Sequence, residues 1–402
     1  MPPIKIAVAD LQPGMYVVDT GISWLKAPML YAEQGLITSE EKVAEIIDQG
    51  YTEVYCDPEQ SHVRPGQEMS LDGAGDAPRK AETCAPLTEE LVQARTVYAD
   101  SFRHVKKFMQ SIQSGPVDIA ASEPYVEGII RSLSRNADAL ISLSKLKTYD
   151  EYTYVHSVNV TIFAVAFARY LGFDDSRLHL VGMAGLFHDI GKELIPPEIL
   201  NAPRRLTDTE FEIMRSHVLL GYEQLRKVEG IAPEILAGVV QHHEKHNGTG
   251  YPRRLVGRQI SIYARILSVA DCYDALSARR VYKDPLPPSK ALGIMYGMRG
   301  EAWQPNFVEN FIKMLGIYPV GTFVELSTGY RGVVSRSNHN FPAQPCVRVA
   351  KSPDGQPLAP RTIDLAAQRN VSITRTLKDD EATGFDVLAL LGGQNAEATL
   401  LA

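Results

Sequence analysis

Cysteine is scarce in this chain. Cys56, Cys84, Cys272 and Cys346 are scattered along 402 residues with no CxxC pair, which argues against a disulfide framework and fits reduced thiols in a cytosol. The opening MPPIKIAVADLQPGM has no apolar core of the kind a secretory signal requires, so none is expected. Long hydrophobic runs are missing too. The longest, 155–171, is broken by His156, Asn159 and Arg169 and is too polar to span a membrane. Positive charge is short, with 41 Lys and Arg against 48 Asp and Glu. The resulting net charge of −7 argues against a nucleic-acid polymer as the main partner. A small anionic substrate stays open, because metals and local basic groups set the field inside a pocket. No internal repeat is visible. A cytoplasmic protein is expected.

An apolar fraction of 45% and a charged fraction of 22% are those of a globular protein, and the length allows two or three domains. Residues 1–60 read as a small α+β domain. IKIAVADL, GMYVVDT and TEVYCD look like strands, Pro13-Gly14 like a turn, and SEEKVAEIIDQG like a helix capped by Ser39. Residues 61–86 read as a flexible linker, carrying three Gly and three Pro in RPGQEMSLDGAGDAPRKAETCAP. A helical connector at 87–147 has two apolar stripes, Leu91-Tyr98-Phe102-Val105-Met109 and Val126-Ile130-Leu133-Ala137-Leu140. Packing against the next domain explains them, and a dimer seam is the alternative.

From 148 to 318 the pattern is all-helical. YTYVHSVNVTIFAVAFARYLG is apolar on more than one face and should be a buried central helix. LHLVGMAGLFHDIGK is a second helix, Thr207 to Glu210 a capping box that starts a third bearing His217, APEILAGVVQHHEKH a fourth and ISIYARILSVADCYDAL a fifth. Residues 319–402 change character. TFVELS, GVVSRS, CVRVAK and RTIDLA read as strands of a small β appendage, with a loose C-terminal tail from about 378. The expected fold is therefore mainly α: an all-helical domain between a small α+β domain and a β appendage.

Within about 115 residues stand His156, His188-Asp189, His217, His242-His243 and Asp271. Imidazole and carboxylate together hold transition metals. Neighbours on a helix point about 100° apart, so each doublet suits two ions better than one. Asp189 is assigned as the bridge, and each of His242 and His243 is given one ion. Such a pair binds a phosphate and activates a water for in-line attack on phosphorus. Lys192, one turn beyond His188, can reach the site, and Arg280 and Lys283 are further phosphate contacts. The other histidines act as a control. His179 should face away, His62, His104 and His339 lie outside the domain, and His246 follows the doublet in a polar turn.

HDIGK, a spaced His, HHEKHNGTGYP and SVADCYDALSARRVYK, in this order, closely resemble the HD-GYP family of the HD phosphohydrolase superfamily. The likeness covers about 148–315, and residues 1–60 resemble a small domain that precedes some members. The resemblance implies an HD-type catalytic domain that hydrolyses cyclic di-GMP to pGpG and, in some members, on to GMP. It places metal ligands at His156, His188, Asp189, His217, His242, His243 and Asp271, with Asp189 and Lys192 catalytic. Substrate contacts fall on Lys192, Arg280, Lys283, Gly250 and Tyr251. Iron or manganese is the implied metal, and GGDEF-type cyclases the implied partners through the GYP surface. Tyr152 stands where some members carry a Glu for a third metal, and Glu151 is one residue out of phase, so two divalent ions are expected. Asn247, Arg279 and Val281 replace residues common in the family.

Overall fold

The computed structural model describes residues 3–18, 30–31, 35–48, 51, 53–61, 85–112, 118–144, 152–278, 285–338, 340–368, 370–377, 381 and 387–392. Two units, Met1–Thr83 and Cys84–Ala402, divide the chain. Most of the expected 61–86 linker, together with Glu151, Arg279, Arg280, Val281, Lys283, His62 and His339, lies outside the described residues.

In the first unit, β1 (Ile4–Ala7), β2 (Tyr16–Val17), β3 (Leu30–Tyr31), β4 (Gly35–Leu36) and β5 (Glu53–Asp57) form one sheet. β5 pairs antiparallel with β1 and β2 and parallel with β3. Its side chains alternate, so Val54 and Cys56 face a core of Val8, Met15, Val17, Val43 and Ile46. The helix α1 (Glu40–Asp48) contributes Val43 and Ile46, and Ser39 Oγ accepts its Lys42 N–H as the sequence predicts.

The second unit begins with α2 (Leu87–Ser111) and α3 (Glu123–Leu143). Leu91, Tyr98, Phe102, Val105 and Met109 are all buried, so packing within the unit accounts for the first stripe. Of the second stripe, Val126, Leu133 and Leu140 are buried as expected, while Ile130 and Ala137 are only half-buried and Ile129 and Ala139 take their places in the core. A kink explains the shift beyond it. Asn136 leaves helical geometry (φ −162°, ψ 105°), and its amide donates to Ala85 O.

α4 (Tyr152–Tyr170) is buried from Val155 through Ala168, as a helix apolar on several faces must be. It packs on α5 (Asp175–Phe187) and α10 (Ile262–Ser277). A 3-10 turn, Ile190–Leu194, leads into α6 (Pro197–Leu200). The capping box of Thr207 and Glu210 opens α7 (Asp208–Arg215). α7 stops short of His217, which instead begins α8 (His217–Leu225). α9 (Pro233–Gln241) packs against α5, α8 and α10. α11 (Pro288–Gly297) and α12 (Phe307–Leu315) complete the bundle.

The tail forms an antiparallel sheet in the order β10-β6-β7-β8-β9. Its strands are β6 (Phe323–Leu326), β7 (Arg331–Arg336), β8 (Cys346–Lys351), β9 (Pro357–Asp364) and β10 (Ile373–Thr376). β10 is an edge strand that the sequence pattern did not suggest. The tail is also not loose throughout, because Leu390, in the short α13 (Val387–Leu390), and Leu391 are buried. Among the described residues no helix is long and apolar enough to cross a membrane.

Candidate metal centre

Where a helix ends, its last carbonyls lose their N–H partners. Three imidazoles use that opening in the same way. His188 follows α5, His217 follows α7 and His242 follows α9, and each donates Nδ1–H to the carbonyl three residues back. The acceptors are Gly185 O (2.8 Å), Met214 O (2.8 Å) and Val239 O (2.7 Å). A ring nitrogen that faces a carbonyl must carry the proton, so each Nε2 presents a lone pair. The doublets therefore sit in turns just past helix ends rather than within helices. Asp189 (φ −104°, ψ 9°) has already left α-helical geometry, so the 100° step of a regular helix does not describe this pair.

Asp189 stands at the centre. Its Oδ2 lies 3.2 Å from His188 Nε2 and 3.5 Å from His156 Nε2. Its Oδ1 faces the other way, 3.3 Å from His217 Nε2 and 4.0 Å from His242 Nε2. Asp271 Oδ1 is 3.1 Å from His156 Nε2, and its Oδ2 is 3.9 Å from His243 Nδ1. Two groups result, Asp189-His217-His242-His243 and His156-His188-Asp271. Within each, the potential ligand atoms lie within 4.8 Å of one another. All seven residues marked in the sequence are thus brought together.

The donor set fits divalent cations. Nε2 of His188, His217 and His242 and Oδ1 of Asp189 are buried and make no hydrogen bond. Four orphaned acceptors around one space are costly unless a cation satisfies them. Burial pushes the pKa of His217 down to about 4 and that of His243 to about 3, and holds His242 well below the usual range. Neutral imidazole is the ligating form. Burial also opposes charge on His156, but Asp271 and Asp274 outweigh it and raise its pKa to about 9. A place that favours a proton at Nε2 also favours a metal ion there. Burial resists ionisation of Asp189 and Asp271 as well, yet His188 and Lys192 beside the first and His156 beside the second keep both well below the usual carboxylate range.

Lys192 Nζ donates to Asp189 Oδ2 at 2.5 Å, within the site as its spacing predicts. Gly191 lets this turn press on α8, since a Cβ there would lie 1.9 Å from His217 O. In the GYP loop, a Cβ on Gly250 would come 2.3 Å from Lys245 N, so only glycine fits. Asn247 Oδ1 accepts from Thr249 N and Oγ1, so an asparagine serves the turn. The Tyr251 ring packs 4.9 Å from the His243 ring, and the Arg215 guanidinium sits 5.1 Å from the Tyr251 ring centre. Beside them opens a cavity of about 580 Å³ lined by Arg215, Ser216, Thr249, Tyr251 and Arg254.

Three contributors escaped the sequence reading. Asp274 accepts from His156 Nδ1 at 2.7 Å, and its signal was its place one turn after Asp271. Glu244, the acid of HHE, is buried and accepts from Arg253 N (2.6 Å) and Leu255 N (3.0 Å), tying down the GYP loop. Arg215 carried no local signal. The remaining described histidines stay outside both groups. His104 bonds Ser122 on the connector, and His246 lines a separate small cavity with Trp303.

Residues 132–306 match the model of the HD domain, 3–121 that of a domain of unknown function (DUF3391), and 323–385 that of a KOW domain associated with the HD domain. The chain is 33% identical over 392 residues to the cyclic di-GMP phosphodiesterase PA4108 of Pseudomonas aeruginosa, covering 95% of this chain and 92% of that one. It is 36% identical over 147 residues to the cyclic di-GMP phosphodiesterase response regulator RpfG of Xanthomonas campestris, covering 36% and 39%. With the 3'3'-cGAMP-specific phosphodiesterase 2 of Vibrio cholerae it shares 37% identity over 165 residues, covering 40% and 31%. Helical bundle and paired His/Asp groups together define a phosphohydrolase of the HD type. Within that class, the chain belongs to the HD-GYP family of the HD superfamily.

Proposed function

We propose that this chain is a metal-dependent phosphodiesterase that opens cyclic di-GMP to pGpG and, in a second round, yields GMP. The observation that carries the reading is Asp189, whose two oxygens address separate histidine groups. Its support in kinship is the full-length likeness to the Pseudomonas enzyme. Iron or manganese suits the mixed nitrogen and oxygen donors. Two such ions, when bound, supply an anchor for phosphate oxygens and an activated water.

The chain's own groups do the rest. Asp189 and Asp271 contribute the negative charge that holds the ions, and the Nδ1 hydrogen bonds fix four imidazoles in position. Lys192, partly exposed at the rim, stabilises charge developing on the non-bridging phosphate oxygens. Tyr251 and Arg215 offer a flat platform for a purine beside the metal groups. Gly250 allows the loop its close path. Arg280 and Lys283 are assigned to substrate phosphate by resemblance alone. A GGDEF-type cyclase at the GYP surface stands on the same footing, whereas a homodimer is suggested by the apolar stripes of the connector and the domain limits 1–60, 61–86, 87–147, 148–318 and 319–402 by composition and periodicity.

The test is anaerobic purification with iron or manganese, followed by product analysis on cyclic di-GMP. Loaded protein that leaves cyclic di-GMP intact overturns the proposal. A second reading, hydrolysis of 3'3'-cGAMP, is favoured by the Vibrio relative. Competing both cyclic dinucleotides in one assay decides between them. A sensor that binds without turnover has no need of seven convergent ligands.

A further inference from the structure

We infer that Tyr98, on α2 and outside the HD-domain match, is a positioning residue for His156, acting through Asn159 and Asp274. The inference rests on the metal reading above. Tyr98 Oη donates to Asn159 Oδ1 at 2.9 Å. Asn159 Nδ2 donates to Asp274 Oδ1 at 2.9 Å and to Ser144 O at 3.2 Å. Asp274 Oδ2 accepts from His156 Nδ1 at 2.7 Å. Tyr98, Asn159, Asp274 and His156 are 3%, 1%, 2% and 2% exposed, so water does not substitute for any link.

The direction of every bond is fixed by chemistry. An ionised Asp274 only accepts, and so does the Ser144 carbonyl, so Asn159 must turn its NH₂ toward them. The amide oxygen then faces Tyr98, whose hydroxyl must donate. At the other end, Asp274 holds the proton on His156 Nδ1 and leaves Nε2 for the metal group.

Torsions that end at planar groups are soft, so imidazole, carboxylate and amide each depend on hydrogen bonds for their orientation. His156 is set by Asp274, Asp274 by Asn159, and Asn159 by Tyr98 and Ser144. Without the phenol, the amide loses the donor that holds its oxygen away from Asp274. A flipped amide would set oxygen against carboxylate and push Asp274 off His156. Metal affinity thereby comes to depend on a helix that contributes no ligand.

The test is calorimetric titration of the full chain with Mn²⁺. Loss of a direct outer partner of a ligand costs about 10- to 100-fold in affinity, so Tyr98→Phe, two links further out, is expected to cost about 3- to 10-fold. In an Asp274→Asn background the same change should add nothing. Val105→Ala removes a buried methyl pair on α2 and should lower the melting temperature while leaving Mn²⁺ affinity alone. Should Tyr98→Phe not fold, Asn159→Ser is read in the same way. Wild-type affinity in the folded variant, or an equal loss in Val105→Ala, overturns the inference and leaves the metal reading standing. A wild-type chain that takes up no Mn²⁺ overturns both.

Discussion

The Tyr251 ring lies 4.9 Å from the ring of His243, inclined by 30°, so the GYP loop rests directly on a candidate metal ligand. Arg215 covers the same tyrosine 5.1 Å from its ring centre. On the proposed function, substrate recognition and metal ligation would share this one aromatic contact. Tyr251→Ala removes the platform and leaves the inward-facing ligands in place. The expected result is a KM for cyclic di-GMP raised about 10-fold, in keeping with about 1–3 kcal/mol for a base stacked on an aromatic ring. A smaller effect on kcat should accompany it. Steady-state kinetics at saturating metal checks this, and an unchanged KM would remove Tyr251 from the substrate site.

Lys192 gives a prediction of the opposite kind. Among the described residues its ammonium bonds Asp189. Lys192→Ala should keep the fold and the bound metal, while kcat falls about 100-fold, the usual cost of losing one stabiliser of transition-state charge. Circular dichroism, metal analysis and kcat on one preparation separate these terms. Full activity in the variant would mean that phosphate charge is met elsewhere.

Away from the site, Lys313 on α12 is 2% exposed, and burial pushes its pKa down to about 8 against the pull of Glu309. The unfolded chain keeps the ordinary value of 10.5 and so binds more protons between pH 8 and 10.5. The contribution of this residue to stability must therefore rise across that window. Below pH 8 the folded state carries the full cost of a buried ammonium. Lys313→Met should raise the melting temperature most at pH 7, with the gain shrinking as pH climbs past 8. A gain that stays constant up to pH 10 would show that the amine is not the cause.

Much of this was legible because the signals are local. HDIGK, HHE and GTGYP are contiguous strings, and the capping box at Thr207 is decided within four residues. The two oxygens of Asp189 do face separate histidines, but His242 and His243, given one ion each from their adjacency, fall together in one group with Asp189 and His217. α5 and α9 end at Phe187 and Gln241, one residue before each doublet, and the carbonyls freed there take the imidazole protons. What sequence could not show acts at long range. Asp274 meets His156 across 118 residues, and Arg215 meets Tyr251 only through the fold. The kink at Asn136 is likewise set by Ala85, 51 residues earlier, and it moves Ala139 rather than Ala137 into the core.

Counting metal on the chain purified anaerobically with Mn²⁺, beside Asp189→Ala, tests the central claim most directly. A carboxylate shared by two histidine groups predicts about two ions per chain, falling below one in the variant while the helical circular dichroism spectrum stays unchanged. A native chain holding a single ion or none, or a variant that retains both, would contradict it.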